Sequence, residues 1–156
     1  MNSADPPVPT SLGELTALLA SQPGFPEVLQ SLWAGQSAAI NGAWGATRAL
    51  CISTLAARTP RRCLLVVQPT IRDAEDCAAE LAALIEPASR VCHLPAWESI
   101  PEGDAAGDTT AAARLAVVRK LTDSDPAAAG LVVVASLPAL LQPIPARTLI
   151  AASTRT

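Results

Sequence analysis

Three short runs constrain this chain more than anything else in it: Cys63-Leu64-Leu65-Val66-Val67, Val91-Cys92-His93-Leu94 and Leu131-Val132-Val133-Val134-Ala135. They are almost continuously apolar. A strand with one wet face alternates polar and apolar residues. A strand buried on both faces does not, and double burial belongs to parallel sheets covered by helices on either side. The stretches between the runs have the period of such helices. Ile71, Ala74, Ala78, Leu81 and Ile85 fall at i, i+3, i+7, i+10 and i+14, while Arg72, Asp73, Glu75, Asp76 and Glu80 make a solvated face. Ala111 to Leu121 puts Leu115, Val118 and Leu121 on a second apolar stripe. Leu137 to Leu141 reads as a short helix and Thr148 to Ala152 as a last strand. The expected fold class is therefore α/β, a mainly parallel sheet flanked by helices with right-handed crossovers.

The first sixty residues add a different element. Residues 1–10 are proline-rich and read as a disordered N-terminus. Ser11 and Glu14 have the spacing of a capping box ahead of a helix carrying Leu12, Leu15, Leu18 and Leu19. Pro23-Gly24 ends that helix. A second one presents Phe25, Val28, Leu29, Leu32 and Trp33 and stops at Gly35. Ser37 to Leu50 then reads as a short buried strand, a glycine-punctuated turn and a helix, the layout in which backbone N–H groups cradle a phosphate. A working loop reads G-x-x-x-x-G-K-[ST], with the lysine on the β/γ-phosphates and the hydroxyl on Mg²⁺. With Gly42 as the first glycine, the second falls on Thr47, the lysine on Arg48 and the hydroxyl on Ala49, with Gly45 inside the turn. The planar fork of Arg48 is a poor replacement for a compact ammonium. Three readings stay open from these residues: a plain strand–turn–helix, a nucleotide-dead relic and a live site.

Length and composition narrow the function. With 156 residues, half of them hydrophobic, the chain can bury a core as one domain. Its net charge of −3 argues against a nucleic-acid surface, since Arg58, Arg61 and Arg62 gather where a helix end favours cations. Cys51, Cys63, Cys77 and Cys92 sit in apolar stretches without metal-ligand spacing and read as reduced core thiols of a cytoplasmic protein. His93 reads as structural. The N-terminus lacks the basic and apolar regions of a signal peptide, and Pro138, Pro143 and Pro145 break the long uncharged run from Ala127, so no membrane span is expected. No catalytic set, metal cluster or cofactor is expected. A small cofactor-binding enzyme using Gly42 and Gly45 would need a G-x-G-x-x-G and an acid after Val67, and has neither.

Leu94-Pro95-Ala96-Trp97-Glu98-Ser99-Ile100-Pro101 closely resembles the P-x-W-E-[ST]-L-P signature of the N-terminal module of bacterial transcription-repair coupling factors, itself homologous to the first domain of the excision-repair subunit UvrB. Gly42 to Ala49 is similar to that family's G-L-T-G-[SA]-x-[RC]-A. Arg114-Leu115 and Val132-Val133-Val134-Ala135-Ser136 fit the same order. The resemblance implies a helicase-like (RecA-type) domain over residues 11–146 whose degenerate loop (Gly42, Gly45, Thr47, Arg48, Ala49) no longer supports ATPase activity, with 147–156 beginning a truncated following domain. It implies a non-catalytic scaffold packing beside a UvrA-binding domain. UvrA and RNA polymerase would be met through parts absent here, and the ATP-dependent translocase motor would lie downstream. Trp97 and Glu98 are then either an interdomain contact or, for the indole, an anchor of the long loop on the core. The chain departs from the family at Glu102, where a tyrosine is usual. It has no tyrosine at all, so strand clamping by aromatic stacking is not expected.

Overall fold

The computed structural model describes residues 11–60, 63–98, 108–123 and 130–144. The chain divides into two compact units, Met1–Thr59 and Pro60–Thr156.

The first unit is helical. Its elements are α1 (Leu12–Ala20), α2 (Phe25–Trp33) and α3 (Ala46–Arg58). Ser11 stands at the N-cap of α1, but its side chain makes no capping bond; the Glu14 amide donates to the Ser11 carbonyl instead, at 3.2 Å. The capping box is thus not formed on the Ser11 side. Gly24 at φ 90° opens α2, and Gly35 at φ 76° follows it, both in the left-handed region that glycine enters without a Cβ penalty. Phe25 and Leu29 bury against Cys51 of α3, with Leu19, Ala43 and Leu55 packed around them. Leu32 and Trp33 of the expected stripe remain exposed. The buried strand expected before the glycine turn is not formed: Ser37–Asn41 is irregular and exposed. Two alanines and a serine give that segment little β-propensity, and Ile40 is its one large apolar side chain.

The second unit carries the sheet. Strands β1 (Cys63–Gln68), β2 (Val91–Leu94) and β3 (Leu131–Ser136) lie in the order β1-β3-β2, with both pairs parallel. The helices are α4 (Ile71–Leu84), α5 (Thr109–Asp123) and α6 (Leu137–Leu141). The central strand β3 is the most apolar and is buried from Val132 to Ser136, as a strand covered on both faces must be. On one face Val133 and Ala135 pack with Cys92, Leu94, Val117 of α5 and Ala139 of α6. On the other, Gln68 reaches from β1 to the Cys77 thiol of α4, 3.6 Å away. The Thr70 hydroxyl accepts the Asp73 amide at 3.1 Å and caps α4. That helix buries Ala74, Cys77 and Leu81, so Cys77 takes the core position expected of Ala78.

Three expectations for this unit are corrected. The β1 strand is buried on one face only: Leu65 is 51% and Val67 49% exposed, and Cys63 is exposed with them. Cys63 is therefore not a core thiol, whereas Cys51, Cys77 and Cys92 are buried; none of the four forms a disulfide. Helix α5 turns Arg114 and Val117 inward and leaves Leu115 and Leu121 exposed. The strand read at Thr148–Ala152, the disordered segment 1–10, Arg61, Arg62, and the Ser99–Glu102 part of the Trp-Glu stretch lie outside the described residues.

Candidate functional site

In the second unit, chemistry converges where the chain leaves β2. Pro95, buried Ala96 and half-buried Trp97 follow Leu94 directly, and Glu98 is exposed beyond them. Gln142 clamps Trp97 from the end of α6. The Trp97 amide donates to its Oε1 at 2.8 Å, and its Nε2 donates to the Trp97 carbonyl at 2.8 Å. The indole Nε1–H donates to Asp108 Oδ2. Asp108 also starts α5, since its Oδ1 accepts the Thr110 amide at 2.8 Å. Burial alone would raise the pKa of this carboxylate. The hydrogen bonds from the Thr110 amide, the Trp97 indole and the Ala111 amide outweigh it and hold the pKa below the ordinary value.

Arg114 closes the arrangement from α5. Its guanidinium carbon lies 4.5 Å from the Trp97 ring centroid, a cation–π stack. It is 1% exposed. One terminal nitrogen donates to the Pro95 carbonyl at 2.6 Å; the other reaches the carbonyls of Ala139, Gln142 and Pro143 at 3.2, 3.4 and 3.2 Å. Burial lowers its pKa, and Nε is buried without a hydrogen-bond partner. One cation thus ties the start of the Trp-Glu stretch to the end of α6. A polar hollow of about 480 Å³ opens beside it, lined by Glu75, Trp97, Glu98, Asp108 and Thr110 among others. Two of the anchors, Asp108 and Gln142, were missed in the sequence. Asp108-Thr109-Thr110 has the pattern of an N-cap and could have been found. Gln142 carries no local signal.

The glycine loop lies in the first unit. Gly42 and Gly45 have φ of 80° and 53°, and Gly45 caps α3. The amides of Thr47 and Arg48 donate to the carbonyls of Trp44 and Gly45 at 3.1 and 3.0 Å. Two of the donors that a phosphate would use are therefore bonded within the turn. Thr47 is exposed, Arg48 half-buried, and Ala49 only 1% exposed.

His93 lies on β2, half-buried. Burial lowers its pKa from 6.5, and Glu75 on α4 works in the opposite direction. Among the described residues no helix is long and apolar enough to cross a membrane.

No family model matches the chain, and no solved structure matches it. Two curated proteins do: the transcription-repair-coupling factors of Mycobacterium bovis and Mycobacterium tuberculosis. Each is 37% identical over 139 residues, covering 86% of this chain. The chain spans 11% of the length of these relatives.

Proposed function

We propose that this chain is an interaction module of a transcription-repair coupling factor, serving transcription-coupled nucleotide excision repair in the cytoplasm without nucleotide chemistry of its own. The observation that carries the reading is the 37% identity to the mycobacterial factors over most of the chain. The glycine loop supports the second half of the proposal. Arg48 and Ala49 replace the lysine and the metal-ligating hydroxyl, Ala49 is buried, and the amides of Thr47 and Arg48 are bonded to the loop's own carbonyls. In the parent protein the module would be the degenerate, helicase-like first part, packed beside a UvrA-binding domain. RNA polymerase and the ATP-driven motor would belong to other domains. Trp97, held from three sides, would keep the exposed Glu98 in place toward a neighbouring domain. A net charge of −3 and the absence of tyrosine support weak, unselective contact with DNA at most.

The test of the role is a chimera in which this chain replaces the matching segment of a mycobacterial factor. Strand-specific repair after ultraviolet damage should survive the exchange. A folded chimera that binds RNA polymerase but has lost strand-specific repair would overturn the proposal. Titration calorimetry of the chain itself with ATP and Mg²⁺ tests the absence of nucleotide chemistry. No saturable heat is expected up to millimolar nucleotide, and an affinity near ~1 μM would restore the live-site reading.

A further inference from the structure

We draw no further inference here: the strongest candidate, the apolar face that Leu65 and Val67 expose on β1 at the edge of the sheet, carries none because nothing in the structure shows what covers it.

Discussion

Arg114 holds a positive charge inside the second unit with four carbonyl oxygens as its bonded partners. A buried cation is tolerable only when hydrogen-bonded, and removing it leaves its acceptors unsatisfied. Arg114→Ala should therefore lose about 3–5 kcal/mol of stability, read as a lowered urea midpoint. Arg114→Lys should recover less than half of that, because an ammonium cannot fan across the carbonyls or stack flat on Trp97. A lysine variant as stable as wild type would show that the fork is not what the site needs. Two titrating groups in the same unit give a pH dependence of one sign. His93 and Asp108 both have folded pKa values below their ordinary ones, so the unfolded chain binds protons more readily. Their stabilisation is complete above the ordinary values of 6.5 and 3.8 and is lost as pH falls below each in turn. Melting temperatures of His93→Gln should fall less steeply than wild type below pH 6.5. Asp108→Asn should already melt lower at neutral pH and lose its own step below 3.8.

At the scale of elements, the rotation of α5 about its axis decides whether the buried arginine exists at all. Val117 is buried on α5, and Leu115 is exposed. Val117→Ala should cost about 1–3 kcal/mol, and Leu115→Ala within about 0.5 kcal/mol of nothing. A larger loss for Leu115→Ala than for Val117→Ala would place the helix in the orientation expected from its leucines. That expectation failed for a physical reason. In Ala111 to Leu121 the alanines bury about equally well on any face, and a hydrophobic period cannot register an arginine whose charge is met by carbonyls 19 to 29 residues away. The three strands were legible because a run such as Leu131 to Ala135 has few other ways to hide its side chains. So was α4, where acidic residues mark the wet side. The strand before the glycine turn was misread because the loop pattern suggested it more strongly than Ser37–Asn41 could support. Trp97 and Glu98 stood out in the sequence, whereas Gln142, 45 residues from Trp97, is joined to it only by the fold.

At the scale of the whole molecule, the two units differ in what holds them. The first has a buried hydrophobic cluster of Phe25, Leu29 and Cys51, and its two opening helices are nine residues each. Isolated helices of that length are marginal in water, so their stability depends on packing, and α1 contributes no fully buried residue to it. The second unit has interstrand hydrogen bonds along β3 on both sides, a larger cluster beneath α5, and the Arg114–Trp97–Gln142 tie across its loops. Amides on β3 alternate between its two neighbours, so exchange along the whole strand requires release on both sides, an opening of the unit as a whole. Amides of α1 and α2 need only local opening. Hydrogen exchange of the full chain should therefore show Leu12–Ala20 and Phe25–Trp33 exchanging at least about tenfold faster than Leu131–Ser136, a difference of ~1.4 kcal/mol or more in opening free energy. Trp97→Ala should accelerate exchange in β3 and leave α1 and α2 unchanged, because the indole's bond to Asp108 and its stack with Arg114 lie within the second unit. Equal protection of α2 and β3, and equal acceleration of both by Trp97→Ala, would mean that the chain opens as a single cooperative body, and the ranking of the two units would be wrong.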